Sequence, residues 1–161
     1  MTPESPEAQL KGFLAKFTPE IAKTASAILR KMRACVPGAT ELVYDNYNAL
    51  AIGFGPTERS SDAVFSIAVF PRWVSLFFFG GPSLPDPQKL LKGSGNVVRH
   101  IVVEGAADLD KSAIRALMKE ALRRADPPID PKAKRRLIIK SISAKQRPRR
   151  PAAAVKKRRA V

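Results

Sequence analysis

Residues 63–79 read AVFSIAVFPRWVSLFFF, an apolar run that carries no charge except Arg72. The run holds five of the eight phenylalanines and the sole tryptophan. Valine, isoleucine and phenylalanine suit a pleated, packed surface. Pro71 cannot donate to a sheet ladder, so Pro71-Arg72 predicts the turn of a hairpin with strands at about 63–70 and 73–79. On the second strand Trp73, Phe77 and Phe79 share one face and Val74, Leu76 and Phe78 the other. On the first, Phe65, Ile67 and Val69 oppose Val64 and Phe70. A half-exposed antiparallel strand alternates apolar with polar, and these do not. Both sheet faces therefore call for cover. Helices on each side are the expected arrangement, with a partner subunit or a ligand as the alternatives.

The flanking patterns supply those helices. Leu10, Phe13, Leu14 and Phe17 form one helical stripe. Thr18-Pro19-Glu20 then offers an N-cap, a first-turn proline and a first-turn acid to a second helix that buries Ile21, Ala25, Ile28, Leu29 and Met32. Pro37-Gly38 ends it. From Glu41 the period falls to two, with Leu42, Tyr44 and Asn46 on one face and Val43, Asp45 and Tyr47 on the other. Another strand follows at 49–54, then a polar loop at 57–62. After Gly80-Gly81-Pro82, Asp86-Pro87 predicts a cap for a short helix through 88–91, and a turn at 92–96 leads into a strand at 97–103. Asp108 or Asp110 starts a helix with the stripe Ile114, Leu117, Met118, Ala121 and Leu122, which Pro127-Pro128 stops. Residues 137–142 are short, apolar and β-branched behind Lys134-Arg135-Arg136, the composition of a charge-protected edge strand.

These elements make an α+β domain over residues 1–131, an antiparallel sheet of about five to six strands packed with two N-terminal helices and one C-terminal helix. Residues 132–144 form a basic linker with the extra edge strand. Residues 145–161 lack core-forming side chains and are expected to be a disordered basic tail. A length of 161 residues and an apolar content of 45% suit one domain with a core. No apolar run reaches the ~20 residues of a membrane-spanning helix, so no membrane association is expected. The first ten residues lack the layout of a secretory signal, and the single Cys35 fits a reducing compartment. A cytoplasmic location is the expectation.

Charge changes the picture once it is divided. The net charge is +15, but residues 132–161 hold 13 of the 29 basic residues and none of the 14 acids. The body is therefore close to neutral. Positive charge concentrated in such an arm gains affinity for polyanions by counterion release, without sequence preference. Lys145, Arg147, Arg149, Arg150, Lys156, Lys157, Arg158 and Arg159 are the candidate nucleic-acid contacts, and the Arg-Pro stretch also suits a narrow minor groove.

Catalytic chemistry has little to stand on. General acid–base work needs groups whose proton affinities are set against one another, and the one histidine, His100, lies in an apolar strand. Cys35 falls near a helix end instead of the N-terminus that activates thiolates, and one histidine with one cysteine does not make a zinc set. The glycines of 92–96 lead from a helical turn into a strand, the reverse of a phosphate-binding loop. No enzyme activity, cofactor or metal site is expected. Asp45, set among Tyr44, Asn46, Tyr47 and Asn48, interrupts an otherwise apolar strand; a wet strand end is the preferred reading of such a cluster, and the lining of a pocket the alternative.

Four ordered segments resemble the YdhG-like bacterial family, a domain of unknown function grouped with the frataxin-like iron-binding proteins. They are Pro37-Gly38-Ala39-Thr40-Glu41 leading into Tyr44, Val74-Ser75-Leu76-Phe77-Phe78-Phe79, Leu84-Pro85-Asp86-Pro87 with Leu90-Leu91-Lys92-Gly93-Ser94-Gly95, and Val98-Arg99-His100-Ile101. The resemblance spans about 19–122 and implies an α+β domain with an antiparallel sheet. It also implies, for some relatives, an iron-chaperone role, which needs exposed carboxylates as hard oxygen ligands. Here the first two helical segments carry Glu7 and Glu20 against Lys11, Lys16, Lys23, Arg30, Lys31 and Arg33.

Three functions follow in order. The first is a non-enzymatic binding module that meets a small ligand or a protein at the aromatic sheet face, through Tyr44, Asp45, Tyr47, Trp73, Phe77, Arg99 and His100. The second is a nucleic-acid-associated protein acting through its tail, and the third an iron chaperone. The first requires a concave or apolar patch left open by the helices.

Overall fold

A computed structural model describes residues 4–151 of the chain. Helices α1 (Pro6–Leu14) and α2 (Pro19–Cys35) precede strands β1 (Thr40–Asp45), β2 (Leu50–Gly55), β3 (Phe65–Val69), β4 (Val74–Phe79) and β5 (Val98–Val103). Helix α3 (Ser112–Arg124) and strand β6 (Arg136–Ile142) complete the order. One six-stranded sheet results, β5-β4-β3-β2-β1-β6, antiparallel except for the parallel pair of β1 and β6. The fold is α+β, as the pattern predicts. The parallel edge follows from the path of the chain, because α3 carries it from the β5 edge to the opposite edge before β6 begins.

Local signals explain most boundaries. Ser5 and Thr18 cap α1 and α2 by accepting the backbone N–H of Ala8 and Ile21, each ahead of a first-turn proline. The Pro71-Arg72 turn closes with Phe70 N–H donating to Trp73 O at 2.9 Å. Gly38 has φ +81°, and a Cβ there would lie 2.0 Å from the Asp130 carbonyl oxygen. Only glycine lets the loop before β6 pass this close to the start of β1.

One face of the sheet carries the core. Val43, Ile52, Ile67, Leu76 and Ile101 align in register across five strands, with Phe54, Phe65 and Phe78 in the neighbouring row. They join Leu10, Phe13, Ile28, Met32, Leu117 and Met118 of the three helices in a single buried cluster. Phe65 and Phe78 meet edge to face at 5.5 Å, worth ~0.5–1.5 kcal/mol beyond their burial.

Three expectations need correction. The short helix at 88–91 does not form, because the Asp86 carboxylate accepts the N–H groups of Leu90 and Leu91 and Lys89 takes a left-handed φ of 54°. Helix α3 starts at Ser112 and not at an aspartate, since Asp108 accepts the Glu104 N–H within a separate short turn, Ala106–Asp110. The third concerns cover. All three helices bury their stripes in the cluster on one face, to which Leu42 and Ala68 of the other face do not belong. The second face tolerates this because its middle is built of small side chains with little apolar surface to hide.

Candidate functional site

Strand parity sets Leu42 and Tyr44 of β1, Ala51 and Gly53 of β2, Ser66 and Ala68 of β3, and Ser75, Phe77 and Phe79 of β4 on the face opposite the helices, with His100 of β5. Glycine, alanine and serine occupy the middle strands while rings stand at either side. A sheet face so composed is a trough. Ser60, Ser61 and Ala63 from the β2–β3 loop and Val97 ahead of β5 wall it, and the cavity measures about 590 Å³. That lies inside the ~300–1,000 Å³ range of ligand pockets. Tyr44 lines the cavity, and its hydroxyl is buried with no hydrogen-bond partner among the described residues. An orphaned buried hydroxyl is uncommon and costs free energy until something satisfies it.

The seven residues expected to surround one contact fall into three groups. Tyr44, Phe77 and His100 share the open face, the Phe77 and His100 rings lying 5.1 Å apart. Tyr47 and Trp73 sit at one end of the sheet in the β1–β2 and β3–β4 turns, both exposed. Arg99 and Asp45 point to the helix side. Arg99 donates to the carbonyls of Gly95 and Val98.

Asp45 is not a ligand contact, because it is buried and fully engaged. Its carboxylate takes Lys16 Nζ at 2.7 Å and Arg149 NH2 at 2.8 Å. Burial alone would raise its pKa, but the bonds from Lys16, Gln146 and Arg149 and the charge of Lys16 outweigh that and hold it below the ordinary carboxylate range. A second buried acid on the same strand, Glu41, accepts a fork from Arg33, and Arg135 reaches it at 3.4 Å. Burial tends to lower the Arg33 pKa, yet Glu41 and Glu7 raise it above its ordinary value.

These two acids explain the basic segment that follows α3. Residues 145–151, expected in a disordered tail, fold over the end of β1: Gln146 donates to the Asp45 carbonyl, Arg147 N–H to Tyr47 O, and Arg150 to Lys16 O. Arg149 is 5% exposed, so it belongs to the interior and not to a nucleic-acid contact. Lys145, Arg147 and Arg150 remain exposed. Lys156, Lys157, Arg158 and Arg159 lie outside the described residues.

Sequence reasoning missed the small residues. Ala51, Gly53, Ser66 and the Ser60-Ser61 wall make the trough, and their signal is a period-two run of small side chains on adjacent strands. Among the described residues no group of three or more His, Cys, Asp or Glu is placed to hold a metal. No described helix is long and apolar enough to cross a membrane. Comparison of the chain with family models, curated proteins and solved structures finds no match.

Proposed function

We propose that the chain is a cytoplasmic, non-enzymatic binding module of YdhG-like type, and that it takes a small, largely apolar ligand in the trough of its open sheet face. The observation that carries this reading is the buried, unpartnered hydroxyl of Tyr44, a residue that lines a largely apolar, uncharged cavity of about 590 Å³. A ligand with one hydrogen-bonding group would cover the small residues of β2 and β3 and satisfy that hydroxyl, the arrangement by which ligand pockets combine apolar area with a few placed polar groups. The residues that line the trough carry no charge, which favours a ligand of low charge.

Titration with anilinonaphthalene sulfonate, an apolar fluorophore with one anionic group, tests the site. Saturable enhancement in the wild type, lost in Ala51→Leu and reduced in Tyr44→Phe, supports the reading. Equal enhancement in Ala51→Leu places the dye elsewhere and refutes it.

A further inference from the structure

A second groove lies at the end of the sheet, apart from the trough. Asn48, Phe70, Pro71, Trp73, Arg147 and Pro148 line a cleft of about 440 Å³. We propose that this cleft binds single-stranded nucleic acid, with Trp73 as the platform on which a base stacks and Arg147 as a phosphate contact.

The tryptophan is the first observation. The single indole of the chain is 43% exposed, yet it is not loose, because it stacks on Phe70 at 4.7 Å with the rings 19° from parallel. A rigid, flat, exposed ring is what an unpaired base seeks, since every base offers a π-face and stacking is sequence-tolerant. A duplex hides those faces. Tyr47, 52% exposed, stands beside the cleft, its carbonyl held by Arg147 N–H at 2.8 Å.

Charge is the second. Arg72, Lys145, Arg147 and Arg150 are exposed in the turn and the returning segment. Asp45, the acid beneath this end, is already neutralised by Lys16 and Arg149. Glu104, one step beyond the Val74–Val103 pair, is an acid at this end of the sheet. The third is the course of the chain. It leaves the described residues at Pro151, three positions after Pro148 of the cleft wall, and the ten residues beyond carry Lys156, Lys157, Arg158 and Arg159.

Trp73 reports its own occupancy. Titration of the full chain with an oligothymidylate of about 12 nucleotides, within the ~4–16 of comparable footprints, should quench its emission saturably. The affinity should fall linearly on a log–log salt plot, by ~0.7 per phosphate contacted. Anisotropy of a labelled oligonucleotide then measures Trp73→Leu and Arg147→Ala. Stacking of this kind predicts a loss of about tenfold or more for Trp73→Leu, and a shallower salt slope for Arg147→Ala. Unchanged far-UV dichroism confirms that both variants fold, as the exposed turn positions lead one to expect. Binding retained in full by Trp73→Leu overturns the proposal, as does equal quenching by a duplex or by polyglutamate. The first leaves only a diffuse electrostatic arm; the second makes the cleft a general anion or acidic-peptide site. Dye binding in the trough is indifferent to all of these variants.

Discussion

Replacing Asp45 by alanine tests the reading of the returning segment most directly. The carboxylate is fully buried between Lys16, whose side chain is 42% exposed, and Arg149, whose side chain is 4% exposed. Lys16 regains water when its partner is removed. Arg149 does not: its guanidinium stays under the fold, over the Phe17 ring at 5.7 Å, with the carbonyls of Asn46 and Tyr47 as its remaining acceptors and Nε already unpaired. Breaking a buried pair from one side costs ~3–5 kcal/mol, and the two surviving carbonyls place this case near 3 kcal/mol. That is a large part of the ~5–15 kcal/mol that holds a domain together. Urea unfolding followed by far-UV dichroism measures it. Arg149→Met keeps the apolar stem against Phe17 while deleting the charge, so the double variant should recover at least ~1 kcal/mol relative to the sum of the two single losses. A cost below ~1 kcal/mol for Asp45→Ala, or strict additivity, would show that residues 145–151 rest on β1 without the ion pair fastening them.

The same carboxylate sets an acid limb. Its pKa is lower folded than unfolded, so the unfolded chain takes up the proton first; the stabilisation is complete above the ordinary aspartate value of ~3.9 and is lost as pH falls through the lower folded value. Asp45→Asn should therefore be less stable at neutral pH and flatten the stability profile below about pH 4, and parallel profiles would count against the assignment. Gly38→Ala should lower stability by more than ~2 kcal/mol in thermal melts, because φ +81° and the Asp130 carbonyl both exclude a Cβ. Gly53→Ala is its control: the nearest atom is 3.8 Å from the added Cβ, so a change within ~1 kcal/mol is expected.

How far the chain could be read depended on which interactions were local. The hairpin around Pro71-Arg72, the Thr18 cap and the stripe of α3 lie within a few residues of the side chains that encode them, and each appears where the pattern puts it. Residues 137–142 read as an edge strand for the same reason, though the parallel pairing with β1 depends on where α3 lands. The helix at 88–91 failed because Asp86 has two ways to satisfy nearby N–H groups, and the loop form won. Arg149 was illegible for a different reason. Its partner stands 104 positions earlier, and one arginine in a basic run looks like the next until the fold selects one to bury. The trough was hidden by the opposite effect: residues without bulk leave no apolar signal, and only stacking Ala51, Gly53 and Ser66 side by side reveals the space they make.

The position of β6 also has a consequence for how the molecule is made. Strand β1 precedes β6 in synthesis, yet its outer hydrogen-bonding edge and the second partner of each of its two buried acids, Arg135 for Glu41 and Arg149 for Asp45, come from residues 135–149. Until those are translated, a nascent chain with β1 to β5 already paired carries an open edge beside half-neutralised carboxylates, a poor state to bury. Locking of the fold is thereby deferred until the segment after α3 has been translated. A messenger cut short after α3 would yield a product without its fastening, open to proteolysis where the full-length chain is closed.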